Sequence, residues 1–160
     1  VKVVKCREFQ TLISAKDKKI ALVVSRWNSN ITEKLLAGAQ EAILDCGGSL
    51  DETLQVKVPG SFELPLACQK LAVSGNFDAV VALGALIDGE TDHYHWVAES
   101  LVSGLSRVML DTGVPIAFGV ITAKTMEHAL ARAGNKQSNK GWEATVAAIE
   151  MASFKTPENS

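Results

Sequence analysis

Ile20-Ala-Leu-Val-Val-Ser25 is a short, nearly unbroken apolar run, and a strand buried on both faces reads this way. Its neighbours decide what sheet it joins. Behind it Leu35, Ala39, Ile43 and Cys46 recur at helical spacing, with Thr32 placed as N-cap and Gly47-Gly48 as the stop. Leu54, Val56 and Val58 alternate up to Pro59-Gly60, and Leu64, Ala67, Cys68 and Leu71 form the next helical stripe. Asp78 to Ile87 is a second continuous apolar run, followed by the stripe Val97, Leu101, Leu105 and Val108, which stops near Gly113. Val114 to Ile121 reads as a fourth strand, and helical stretches from Thr125 to Ala133 and from Asn139 to Phe154 flank the loop that opens at Gly134. Such alternation predicts an α/β fold, a three-layer αβα sandwich whose four-stranded parallel sheet carries helices on both faces.

The composition narrows the function. In 160 residues, 47% hydrophobic and 21% charged, there is enough apolar material for one core and too little polarity for a disordered chain. Sixteen basic against eighteen acidic residues leave a net charge of -2, which supplies no field to hold nucleic acid or an anionic membrane. Cys6, Cys46 and Cys68 form no C-x-x-C pair, so neither a disulfide framework nor a structural zinc site is expected and a reducing, cytoplasmic compartment is the default. The chain begins at Val1, which leaves open a plastid location with a removed leader. No apolar run approaches the length of a membrane span. Residues 1–19 lack a clear period and read as an N-terminal arm, 20–154 as the domain proper, and 155–160 as a frayed tail.

In an open parallel sheet ligands bind beyond the carboxyl ends of the strands, and the chemically interesting residues follow each apolar run. Ser25-Arg-Trp-Asn28 follows the first, Pro59-Gly-Ser-Phe-Glu63 the second, Ile87-Asp-Gly-Glu-Thr-Asp-His93 the third and Thr122 the fourth. His93 stands where a helix begins, beside backbone donors suited to an anion, although a lone histidine there reads equally as a surface residue. Asp88, Glu90, Asp92, His93 and His95 crowd oxygen and imidazole donors together. On a helix His93 and His95 point to nearly opposite sides and cannot share a metal ion; on a strand they could. Arg132, Lys136 and Lys140 flank the last loop and suit a small phosphorylated substrate, or are ordinary solvated charges. Trp27 and Phe62 lie off the helical stripes, where each offers a flat face to a heteroaromatic ring or packs at an interface. No G-x-G-x-x-G, Walker loop or G-x-S-x-G elbow is present, so nicotinamide, nucleotide-triphosphate and serine-hydrolase chemistry lack their hardware. A signalling receiver would want a carboxylate pair after the first strand, where this chain has Ser25-Arg-Trp27.

Six ordered blocks are more specific than any of these features alone. They are Val24-Ser-Arg-Trp-Asn28 with Ile31-Thr32, Val58-Pro-Gly-Ser-Phe-Glu63, Leu83-Gly-Ala-Leu-Ile-Asp-Gly-Glu-Thr-Asp-His93, Phe118-Gly-Val-Ile-Thr122, Ala131-Arg-Ala-Gly134, and Asn139-Lys-Gly141 with Glu150-Met151. Together, over residues 9 to 154, they resemble the 6,7-dimethyl-8-ribityllumazine synthase family of riboflavin biosynthesis. The resemblance implies a flavodoxin-like fold and a cofactor-free transferase that condenses 5-amino-6-(D-ribitylamino)uracil with 3,4-dihydroxy-2-butanone 4-phosphate. It implies that His93 is the general acid/base and that Trp27 stacks on the pyrimidine. Ser61, Phe62 and Glu63 would contact the ribityl chain and ring, and Ala85, Leu86 and Ile87 the ring. Phe118 would come from a neighbouring subunit. Arg132 would anchor the butanone phosphate, with Glu90, Thr91 and Lys140 nearby.

The same resemblance implies a homopentamer or a sixty-subunit shell, with an arm strand around residues 9 to 13 added to a neighbour. The ungapped loop 134–139 permits the larger assembly. Three positions depart from the family pattern: Asp88 stands where an arginine is usual, His95 where an aspartate is usual, and Ser138 where a glycine is usual. A lumazine- or flavin-holding shell that has lost turnover, and a metal-dependent hydrolase built on the acidic loop, are the competing expectations.

Overall fold

The computed structural model describes residues 10–156. Four strands, β1 (Ile20–Ser25), β2 (Leu54–Val58), β3 (Ala79–Ile87) and β4 (Ile116–Ala123), form one parallel sheet in the order β2-β1-β3-β4. Five helices connect and close it: α1 (Ser29–Asp45), α2 (Leu64–Val73), α3 (His93–Thr112), α4 (Met126–Ala131) and α5 (Lys140–Ser153). The expected αβα sandwich is present. Ile20, Leu22 and Val24 of β1, with Ala79, Val81 and Leu83 of β3, face a core shared with α1 and α5. Ala21, Val23, Val80 and Ala82 face the opposite core with α2 and α3. The period-2 alternation of a strand thus serves two layers, which is why β1 and β3 are apolar throughout. β2 is an edge strand, mostly exposed, and so alternates instead.

Element boundaries depart from expectation where a backbone feature overrides side-chain pattern. α1 begins at Ser29, not after Thr32. Asn28 takes the N-cap position with a left-handed backbone, φ 60° and ψ 45°, a conformation asparagine tolerates better than most residues. Thr32 lies buried in the first turn, its hydroxyl without a hydrogen-bond partner. β4 starts two residues later than its apolar run, after Pro115, which has no N–H to give the ladder. Gly113, at φ 70°, ends α3 as the sequence predicts.

At the N-terminal side, Ala15 is buried and its N–H donates to the Cys46 carbonyl at 2.8 Å. Residues 10–15 form no strand within the chain, and Leu12 is well exposed. Residues 1–9 of the expected arm, like residues 157–160 of the expected tail, lie outside the described residues. Among the described residues no helix is long and apolar enough to cross a membrane.

Candidate active site

The strand order reverses between β1 and β3, and in such sheets the crevice beyond that switch point takes the ligand. A cleft of about 540 Å³ opens there. After β1, the Arg26 N–H donates to Val58 O at 2.8 Å and the Trp27 N–H to Pro59 O at 3.2 Å, extending the β1–β2 pairing beyond the sheet. The left-handed Asn28 then turns the chain, and its Nδ2 donates to Ala85 O of β3 at 3.1 Å. The loop after β1 is thereby pinned to β3.

Gly60 permits the aromatic wall. A Cβ there would stand 2.6 Å from Cε3 of Trp27, so the indole rests against bare backbone while 65% of the residue stays exposed. A single 3₁₀ turn, Ser61–Glu63, follows, and the Glu63 carboxylate accepts from the Gly60 N–H at 2.9 Å. This bond fixes the turn so that Phe62 projects outward, 59% exposed. Ser61 is buried against Gly84, where a Cβ would lie 2.7 Å from its Oγ. Ala85, Leu86 and Ile87 line the cleft from β3.

The loop after β3 is tied to the sheet by the Asp88 N–H, which donates to Ala123 O at 2.8 Å. Gly89 and Thr91 line the cleft; Glu90 does not. Asp92 precedes α3, and His93 is its first residue, exposed on the cleft wall. His93 therefore sits on a helix, and His95, two residues on, points elsewhere and lies edge-on to Tyr94 at 5.2 Å. Among the described residues no three His, Cys, Asp or Glu side chains gather as a metal site requires.

Of the residues singled out in the sequence, Trp27, Ser61, Phe62, Glu63, Ala85, Leu86, Ile87, Thr91 and His93 line one cleft. Four do not. Phe118, on β4, lines a separate apolar groove of about 210 Å³ with residues of α3 such as Leu105 and Met109. Arg132 follows α4 and is exposed; Lys140 opens α5, its Nζ 3.0 Å from Glu143 Oε1. Glu90 is exposed on the loop. Lys136, the third member of the basic cluster, is engaged with α1: its Nζ lies 2.8 Å from Asp45 Oδ2 and 3.4 Å from Glu41 Oε1. Hydrogen bonds from Lys136 and then from the Trp142 indole hold the Asp45 carboxyl below its ordinary range.

Asn28 and Gly89, within the rim loops expected from the sequence, also line the cleft, as do Tyr94, Trp96 and Val97, which were not assigned to it. A signal existed for two of these last three. With His93 opening the helix, positions 96 and 97 share its face by the i, i+3 and i, i+4 rule.

The family model of 6,7-dimethyl-8-ribityllumazine synthase matches residues 17–156. The chain belongs to that family. It is a transferase of riboflavin biosynthesis, and its four-stranded parallel sheet with helices on both faces is the fold expected of a lumazine synthase. The three departures from the family pattern lie in two places. Asp88 opens the loop after β3 and His95 lies in the first turn of α3, on either side of His93 in sequence, and neither lines the cleft. Ser138 sits in the 134–139 loop, where its Oγ is within 3.1 Å of Asn135 Oδ1 and 3.3 Å of Asn135 O.

Proposed function

We propose that this lumazine synthase condenses 5-amino-6-(D-ribitylamino)uracil with 3,4-dihydroxy-2-butanone 4-phosphate, with His93 as general acid/base. The observation that carries the reading is the placement of His93 on the same cleft as Trp27 and Phe62. A flat pyrimidine needs an aromatic face, a role we assign to Trp27; its ribityl hydroxyls need fixed polar partners, a role we assign to Ser61 and Glu63. The amine attacks the ketone and one water leaves to give an imine. Loss of phosphate and attack of the second nitrogen then close the ring with release of a second water. The products are one lumazine, one phosphate and two waters. Each step moves a proton, and an imidazole on the cleft wall can carry it. Holding both substrates together supplies much of the remaining acceleration.

Among the described residues no lysine or arginine lines the cleft of one chain, yet one substrate carries a phosphate. We read Arg132 as its anchor, assisted by Thr91, Glu90 and Lys140, and Phe118 as an aromatic face, with Phe118, Arg132 and Lys140 acting in the cleft of an adjacent copy in a homopentamer or larger shell. Among the described residues the outer edges of β2 and β4 are unpaired and suit such assembly, and we read residues 1–19 as an arm whose segment around 9 to 13 adds a strand to a neighbour. Residues 20–154 form the catalytic domain.

Mixing the two substrates with purified protein yields a fluorescent lumazine, and His93→Ala lowers kcat by about 10²–10⁴-fold. Wild-type protein inert on both authentic substrates refutes the reading. Asp88, which stands in the loop before His93 where the family pattern has an arginine, favours one second reading, a shell that binds lumazine without turning over. Tight product binding by an inactive wild-type protein selects it.

A further inference from the structure

Arg132 and Lys140 are joined through their backbones. The Lys140 N–H donates to Arg132 O at 2.9 Å, and Ala133 and Asn139 form an antiparallel bridge. The backbone positions that carry the two cations are therefore tied together, and where they sit depends on what holds the base of the loop.

Asn139 holds it. The residue is only 4% exposed, and its side chain bonds in three directions. Nδ2 donates to Lys34 O of α1 at 3.0 Å and to Gly134 O at 2.9 Å, while Oδ1 accepts from the Trp142 N–H of α5 at 3.1 Å. Both amide hydrogens and one acceptor are used, so the side chain is a joint between α1, the loop and α5 and not a ligand for substrate. Room for it comes from Gly38. A Cβ there would stand 2.2 Å from Asn139 Oδ1 and 2.7 Å from Nδ2. Glycine inside a helix is destabilising, and the entry of this amide is the packing reason for it in α1.

We propose that Asn139, seated in the notch of Gly38, is the positioning residue that sets where Arg132 and Lys140 present their charges to the phosphate-bearing substrate. The inference rests on the reading of Arg132 and Lys140 as phosphate ligands. Shape alone would be met by an apolar side chain of similar size; the amide adds direction, because its two donors address a carbonyl of α1 and a carbonyl of the loop between the two cations.

The test measures KM for each substrate, and competitive inhibition by inorganic phosphate, on the assembled protein. Asn139→Ser keeps a helix-capping oxygen, leaves the charge unchanged and removes the two amide donors. Gly38→Ala evicts the amide from a different element and covers the case in which the first variant does not fold. Thr145→Val deletes a buried hydroxyl on the same helix, bonded to Gly141 O at 2.8 Å, and serves as the destabilised control. Asn139→Ser and Gly38→Ala are expected to raise KM for the butanone phosphate, and the inhibition constant for phosphate, by about tenfold or more, the size of a lost charge-assisted hydrogen bond. KM for the pyrimidine stays within about twofold, and Thr145→Val moves neither constant. The proposal is overturned if both KM values rise together, if neither moves, or if Thr145→Val reproduces the effect. Arg132→Ala, run in parallel, separates the two levels. If it raises the phosphate constants while Asn139→Ser does not, the positioning role alone fails; if it leaves them unchanged, the assignment of Arg132 fails and the inference with it.

Discussion

Gly84→Ala tests whether the floor of the cleft depends on one absent methyl group. The added Cβ would stand 2.7 Å from Ser61 Oγ and 3.2 Å from both Leu64 Cδ1 and Ser25 Oγ. The first distance is shorter than any tolerated contact, so Ser61 must shift by several tenths of an ångström or rotate its hydroxyl away. The methyl of Leu64 is a flexible end and yields more easily. Overpacking of this kind costs about 1–3 kcal/mol, and the compliant neighbours place this case in the lower half of that range. If Ser61 holds a ribityl hydroxyl, losing that bond, worth about 0.5–1.5 kcal/mol, raises KM for the pyrimidine substrate by about 2–13-fold. KM for the butanone phosphate is left alone. Urea denaturation reads the stability and lumazine fluorescence reads the kinetics. Ser61→Ala removes the obstructing oxygen, so the double variant should recover stability relative to Gly84→Ala, with a coupling of at least about 0.5 kcal/mol. A strictly additive cycle, or a Gly84→Ala protein with wild-type stability and KM, refutes the reasoning.

Two further outcomes are expected. Trp27→Ala weakens binding of the pyrimidine by about 2–13-fold, the worth of an aromatic pair of about 0.5–1.5 kcal/mol, while Trp27→Phe keeps most of it; titration with the unreacted pyrimidine checks both. Burial pushes the Cys68 thiol from its ordinary 9.0 up to about 12, so the folded state holds its proton over a range in which the unfolded chain releases it. Its contribution to stability is complete below about pH 9 and is lost as pH rises towards 12. Cys68→Ala should accordingly flatten the fall in urea midpoint across that alkaline range, and an unchanged slope would contradict the assignment.

The layers of the fold were legible because β1 and β3 are apolar on both faces and each is followed by a stripe at helical spacing. That pattern has few solutions other than a buried parallel sheet. The start of α1 was not legible, since it depends on the left-handed turn at Asn28 and not on the apolar stripe that Thr32 precedes. Nor did the pattern predict that Lys136 would be drawn to Glu41 and Asp45. Those partners lie on α1, and only the packing of α5 against α1 brings them together. Trp96 and Val97 were within reach of the helical spacing once His93 was placed at a helix start.

The order of residues along the chain determined the sandwich, the rim on which the loops gather, and the family blocks, because each is written in local periodicity or in contiguous residues. Tertiary structure alone decided that Asn28 reaches Ala85, that Trp27 lies on Gly60, and that Asn139 enters the notch of Gly38. Such contacts join positions far apart in sequence across gaps of a few ångströms. Their distances depend on how whole elements pack, a quantity no stretch of residues carries by itself.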